Sequence, residues 1–172
     1  MAAPDRTIID RDRLTLRPAT AADIDVLVDL VNAAYRKAES NVFPGSTRTE
    51  RVGISDTLPE ITVAELDGRI AGCVHITITP PDAHFGLLAV DVDLHGGGLG
   101  SRLITHAEQR AREAGCTTMR IEVVKEGEPS RVPFYERRGY RVVAEHDGQT
   151  WNGGSDWGAA IDWHMPDMEK PL

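Results

Sequence analysis

The segment Phe85-Gly86-Leu87-Leu88-Ala89-Val90-Asp91-Val92-Asp93-Leu94-His95-Gly96-Gly97-Gly98-Leu99-Gly100-Ser101-Arg102-Leu103 holds a strand, the start of a helix and the joint between them. Phe85 to Val90 runs apolar throughout, as a strand buried on both faces does. From Leu99 onward, Leu103, Ile104, Ala107, Ala111 and Ala114 recur at helical spacing, and Gly115 is placed to stop the helix. Four glycines occupy the five positions 96–100 between them. Without side chains there, the N–H groups that open a helix can point outward together and a ligand can come close. The helix dipole adds partial positive charge at the same point. Such a turn cradles a phosphate or pyrophosphate without a lysine. Glycine clusters also make flexible loops, but these sit at a strand-to-helix junction rather than in a polar linker.

Two common nucleotide motifs do not fit. A Walker A loop requires Gly-Lys-Ser/Thr, whereas Gly100 is followed by Ser101-Arg102. A dinucleotide fingerprint beginning at Gly98 requires glycine at 103, where Leu103 stands.

Working outward, Leu14–Arg17 alternates like a short strand and ends at Pro18. Thr20-Ala21-Ala22-Asp23 has the form of a capping box with Asp in place of Glu or Gln. Behind it, Ile24, Leu27, Val28, Val31, Ala34 and Tyr35 share a helical face. Residues 39–59 read as a loop with one short helix. Ile61–Leu66 and Arg69–Ile78 flank Asp67-Gly68, a strong hairpin signal. On the second of these strands, alternation puts Ile70, Val74, Ile76 and Ile78 on one side and Cys73, His75 and Thr77 on the other. A strand over 117–124, a short helix over 130–138 and a strand over 140–144 follow. A loop rich in Gly, Asp and Trp spans 146–158, and a last strand lies within 160–169. The order is α/β, with a strand–helix–strand unit at its centre. Residues 1–12 read as a flexible leader and 13–172 as a single domain.

With 172 residues, 41% hydrophobic and 27% charged, the chain can bury a core without metal or disulfide staples. Its 19 Lys+Arg against 27 Asp+Glu give a net charge of −8, which argues against nucleic acid as a partner. No apolar run approaches a membrane span, and the charges at Asp5, Arg6, Asp10, Arg11, Asp12 and Arg13 leave no signal-peptide core. Cys73 and Cys116 lack metal-type spacing and read as reduced core thiols of a cytoplasmic protein.

The stretch from Val90 to Leu103 resembles the acetyl-CoA motif of the GCN5-related N-acetyltransferase (GNAT) superfamily, which reads Gln/Arg-x-x-Gly-x-Gly/Ala after a strand ending in valine. Phe134-Tyr135-Glu136-Arg137-Arg138-Gly139-Tyr140 resembles the family's Phe-Tyr-Glu-x-x-Gly-Phe segment at a typical distance. Leu16-Arg17-Pro18-Ala19-Thr20 with Asp23, and Met168-Glu169-Lys170-Pro171-Leu172, look like its first and last elements, so the resemblance covers nearly the whole chain. It implies a mixed, mostly antiparallel twisted sheet with flanking helices. Three departures stand out. His95 replaces the usual Gln or Arg, Glu128 stands where asparagine is frequent, and the strand 85–90 lacks the glutamate that many relatives use as general base.

The resemblance implies transfer of an acetyl group from acetyl-CoA to an amine, with no metal. Val90, Asp91 and Val92 would pair with the pantetheine arm, where two strands splay apart. His95, Gly96, Gly97, Gly98, Leu99, Gly100 and Ser101 would receive the pyrophosphate, with Glu128, Phe134 and Tyr135 lining the groove. Tyr135 is the expected proton donor to the leaving thiolate; a phenol has a pKa of ~10, similar to a thiol's. It could instead serve only as a packing aromatic. Glu122, on the polar side of its strand, is the candidate base, with His84, His75 and Asp91 as further candidates and ion pairing or plain exposure as the competing role. Trp151, Trp157 and Trp163 could wall an acceptor pocket or simply pack. Arg131, Arg137, Arg138 and Arg141 could meet the adenosine 3′-phosphate or form a solvated face. A homodimer is a reasonable expectation from the resemblance. Two rivals are an acyl-CoA-binding sensor without turnover and a phosphate-binding hydrolase that would bind ATP at the glycine turn.

Overall fold

Thr20 and Asp23 close the expected capping box: the Thr20 N–H donates to the Asp23 carboxylate at 2.8 Å, and the Asp23 N–H reaches back to the Thr20 side chain. Arg17 clamps the same carboxylate with two N–H groups, at 2.8 and 3.0 Å. In this computed structural model, which describes residues 9–148 and 158–172, the box launches helix α1 (Ile24–Glu39). Ahead of it lies β1 (Leu14–Pro18). After it come α2 (Arg51–Thr57), the hairpin of β2 (Ile61–Leu66) and β3 (Arg69–Thr79), and β4 (Asp82–Val90). Helix α3 (Leu99–Glu113) leads to β5 (Thr118–Glu122), the short α4 (Val132–Glu136), β6 (Arg141–Asp147) and β7 (His164–Pro171).

The strands form one seven-stranded sheet in the order β1-β2-β3-β4-β5-β7-β6. Every neighbouring pair is antiparallel except β4 and β5, which α3 connects in parallel. This is the mixed, mostly antiparallel α/β sheet that the resemblance implied.

The two faces of the sheet are covered by different helices. On one face the stripe Leu99, Leu103, Ile104, Ala107 and Ala111 of α3 packs on Val74, Ile76, Phe85, Met119 and Ile121. On the other, Leu27, Val31 and Ala34 of α1 pack on Ile61, Val63, Cys73 and Ala89. Removing Leu103, which is fully buried, would cost about 2–5 kcal/mol as a Leu→Ala change. Gly72 lets α3 settle on the sheet: a Cβ there would lie 3.0 Å from the Ala89 carbonyl and 3.1 Å from Leu103 Cδ1. Both cysteines are free and buried, as expected.

Three sequence expectations need correction. The leader ends earlier than residue 12, because Ile9 is buried in the α3-side core and Arg11–Arg13 forms a 3-10 turn. Ile70 does not share a side with Val74 and Ile76. A register shift between Ala64 and Glu65 inserts an extra residue in β3, so Ile70 packs on the α1 side with Cys73. Strand β4 starts at Asp82 rather than Phe85, and it is only partly buried along its length.

Candidate active site

Strand β4 carries a second register shift. Cys73 pairs with Ala89 but His75 with Gly86, so Leu87–Leu88 bulges, and Leu87 adopts φ +45°. Beyond the bulge β4 has also lost its other neighbour. Its pairing with β5 covers Asp82–His84 against Thr118–Arg120 and goes no further. The two strands part there, and a cleft of about 450 Å³ opens through the sheet. Leu88 and Val90 of β4 form one wall, and Glu122, Val123 and Val124 form the other.

The glycine turn stands on the α3 side of this opening. Gly96 and Gly98 have φ of +85° and +84°, a region that disfavours any residue with a Cβ. Gly98 caps α3 without a side chain. The first backbone bond into the helix runs from the Arg102 N–H to the Gly98 carbonyl. Among the described residues, the N–H groups of Leu99, Gly100 and Ser101 therefore have no partner. Gly96, Gly98, Leu99, Gly100 and Ser101 all line the cleft. A helix start of this form, with free N–H groups and no side chains in the way, can hold an anion.

The other expected contacts divide. Val90, His95, Phe134 and Tyr135 line the cleft, while Asp91, Val92, Gly97 and Glu128 do not. Asp91 has already turned away: its N–H donates to the Ala71 carbonyl at 2.8 Å, and its carboxylate caps a 3-10 turn beginning at Val92. The Gly97 N–H returns to the Leu94 carbonyl, and Glu128 is exposed. His95 Nε2 donates to the Val90 carbonyl at 3.1 Å, which fixes that nitrogen as the protonated one.

Tyr135 lies in an aromatic group with Phe85, Phe134 and Tyr140, at centroid distances of 6.2, 5.1 and 5.8 Å. Burial pushes its phenol well above the ordinary range, so the proton stays on the oxygen at neutral pH. Arg131 lines the cleft beside it. Arg138 instead braces the start of α3, donating to the Ser101 carbonyl at 3.3 Å and to Thr105 Oγ1 at 3.2 Å. Arg141 pairs with Glu169.

Glu122 lies on the α1 side. Along β5, Met119 and Ile121 enter the α3-side core, and alternation sends Glu122 to the opposite face. Its Oε2 is 3.4 Å from His84 Nε2, a long and poorly aligned contact that leaves this buried nitrogen without a well-formed hydrogen bond. The nearby His84 ring is still the main influence that holds the Glu122 carboxyl below its ordinary value, against the opposing effect of burial. The other candidate bases are elsewhere: His75 pairs with Glu60 at 2.5 Å, and Asp91 caps its turn. Trp163 packs edge-on against Phe43 in a separate cluster. Trp151 and Trp157 lie outside the described residues.

Sequence reasoning missed three polar residues of the cleft, Tyr35, Glu39 and Arg48. Tyr35 reads as part of an apolar helix face, and Arg48 falls in a loop without periodicity. No local signal marks them; the fold brings them together.

A model of the acetyltransferase (GNAT) family matches residues 25–140, from α1 to the end of the Phe134–Tyr140 segment. The chain belongs to this family. Over 62 residues it is 48% identical to a blasticidin-S acetyltransferase of Streptomyces morookaense, an alignment covering 36% of this chain and 43% of that protein. The GNAT chain spans between about a fifth and three fifths of the length of the curated relatives it matches. Among solved structures, N-acetylglutamate synthase from Neisseria gonorrhoeae, complexed with coenzyme A and N-acetyl-glutamate, superposes with a TM-score of 0.69 at 19% identity. That match covers 92% of this chain and 35% of the synthase. Ribosomal-protein-alanine N-acetyltransferase from Brucella melitensis gives 0.71 at 18% identity, covering 92% and 99% of the two chains. Likenesses at this identity establish a shared fold. Among the described residues no helix is long and apolar enough to cross a membrane, and no cluster of His, Cys, Asp and Glu could hold a metal ion.

Proposed function

We propose that this protein is an acetyl-CoA-dependent N-acetyltransferase that acts on a primary amine by direct attack within a ternary complex. One observation carries the reading: three N–H groups at the start of α3, unpartnered among the described residues, face the same cleft that opens where β4 and β5 part. The pyrophosphate of coenzyme A sits on Leu99, Gly100 and Ser101, stabilised by those N–H groups and the helix dipole. The pantetheine arm enters between the parted strands, and the bulge at Leu87–Leu88 provides backbone polar groups to orient the thioester carbonyl.

The acceptor enters from the α1 face, where Glu122 stands. Its ammonium gives up a proton to Glu122, directly or through one water, and the neutral nitrogen attacks the thioester carbon. A C–N bond forms as the C–S bond breaks. The leaving sulfur takes the phenolic proton of Tyr135, the nitrogen loses its second proton through solvent to the tyrosine oxygen, and Glu122 returns the first to bulk water. The complexed neighbour bound to coenzyme A and N-acetyl-glutamate and the blasticidin-S acetyltransferase support this class of donor and acceptor.

Thiol release from acetyl-CoA, measured across a broad library of amines together with calorimetric titration of acetyl-CoA, tests the reading. Binding with amine-dependent release is expected. Binding without release from any amine would favour the sensor role, and binding of ATP rather than acetyl-CoA would overturn the reading altogether.

A further inference from the structure

The cleft is lined from both faces of the sheet, and these two linings, its α3 and α1 mouths, differ in charge chemistry. The α3 mouth presents backbone N–H groups. The α1 mouth presents Tyr35, Glu39, Arg48 and Glu122. Arg48 is held in place by its backbone. Asn32, on α1, accepts from the N–H groups of Arg48 and Thr49 at 2.8 and 3.0 Å and donates to the Thr49 carbonyl at 3.0 Å. These bonds pin the loop after α1 onto the helix before any ligand arrives.

The Arg48 side chain is 29% exposed and lies over the Tyr35 ring, with the guanidinium carbon 4.4 Å from the ring centroid. Stacking holds the plane of the guanidinium and leaves its edge available. Its closest carboxylate, Glu39, is 3.7 Å away, an ion pair too long to be a hydrogen bond. A guanidinium carries five donors in a fixed fork that suits a carboxylate. The charge of Arg48 also reaches Glu122 and helps to hold that carboxyl ionised. The α1 mouth thus sets a stacked, under-bonded cation within electrostatic reach of the anion proposed to receive the acceptor's ammonium.

We propose that Arg48 is a specificity-determining residue that binds a carboxylate of the acceptor, so that the substrate is an amine that also bears a carboxylate, as an amino acid does. This rests on the acetyltransferase reading above. The ammonium of such a zwitterion faces Glu122 and its carboxylate faces the Arg48 fork. An incoming carboxylate competes with Glu39, whose contact with Arg48 is long. Burial also pushes the Glu39 carboxyl up, against the opposing pull of Arg48.

The test compares amino acids with the corresponding amino-acid amides and decarboxylated amines as acceptors, using wild type, Arg48→Met and Arg48→Lys. Acetyl-CoA affinity is measured by calorimetry, and folding is checked by thermal melting. Wild type should acetylate at least one amino acid with kcat/KM about thirtyfold or more above that for its amide, a size set by loss of a charge-assisted bidentate contact. Arg48→Met should bring the two acceptors to within a few-fold while acetyl-CoA still binds. Arg48→Lys, which keeps the charge without the fork, should restore part of the difference. Equal or better use of amides and decarboxylated amines by wild type overturns the proposal, as does turnover of no amino acid while acetyl-CoA binds. Undiminished discrimination in folded Arg48→Met overturns it too. Failure of wild type to bind acetyl-CoA is a separate outcome and brings down the underlying reading instead.

Discussion

Glu122 Oε2 lies 3.4 Å from His84 Nε2, across the point where β4 and β5 separate. His84 is the last β4 residue paired with β5, and Glu122 is the last residue of β5. The contact therefore stands where the two strands part, with Glu122 on the cleft wall. The structure puts a carboxylate there by a different route from a glutamate on β4, which the sequence lacks.

For Glu122, the pairing has a kinetic consequence. Because His84 holds its carboxyl below the ordinary value, Glu122 is ionised throughout the neutral range. Proton transfer from a bound ammonium to an ionised Glu122 leaves the proton count of the complex unchanged, so kcat/KM should be level from about pH 6 up to the pKa of the acceptor ammonium. Glu122→Gln should lower that level by about tenfold to a thousandfold and make kcat/KM rise with pH, because the amine must then lose its proton to solvent. A pH-rate profile that keeps its shape in Glu122→Gln would rule out this assignment.

Tyr135→Phe should lower kcat by about tenfold to a hundredfold and leave acetyl-CoA affinity within a few-fold. The ring and its packing against Phe85 and Phe134 survive the change, and only the proton is lost. Thiol-release kinetics beside calorimetry separate the two effects. An unchanged kcat would reduce Tyr135 to a packing residue.

Gly100 separates ligand approach from protein strain. A Cβ at this position would meet only Val90 Cγ2, at 3.8 Å, which is ordinary contact. Gly100→Ala should therefore keep or slightly raise the melting temperature, since alanine is the better helix former by about 1 kcal/mol. The same methyl group would stand where the pyrophosphate approaches, and acetyl-CoA affinity should fall about tenfold or more, a loss of about 1.4 kcal/mol or more. Unaltered affinity would place the phosphates elsewhere.

Asp23 predicts a stability change at low pH. Its carboxyl is held down to about 2 from 3.8, chiefly by hydrogen bonding to Arg17. The unfolded chain thus binds this proton at higher pH than the folded one. The resulting stabilisation, about 2 kcal/mol, is present above roughly pH 4 and is lost as pH falls towards 2. Urea melts of wild type and Asp23→Asn should differ at pH 7 and converge near pH 2. A constant gap would show that the pairing does not set the difference.

Periodicity and turn chemistry are local properties, and they were readable from residues alone. The α3 stripe, the Asp67-Gly68 hairpin, the Thr20–Asp23 box and the bare glycine turn each follow from steric or hydrogen-bonding demands within about a dozen residues. Misreadings arose where a partner strand or core decided the outcome. The bulge that moves Ile70 to the α1 face answers to β2, and the burial of Ile9 answers to a core built largely from residues beyond position 60. The cleft itself exists because β4 and β5 part after His84, and that parting belongs to two strands which the glycine turn and α3 keep apart in the chain. Likewise, Tyr35, Glu39, Arg48 and Glu122 share one mouth although no spacing joins them. The amino-acid order alone determined where a helix begins on bare glycines, because a helix start is made by its own local chemistry. Tertiary packing alone decided what stands across from that turn, because side chains from α1, its following loop and β5 meet only after the sheet has formed.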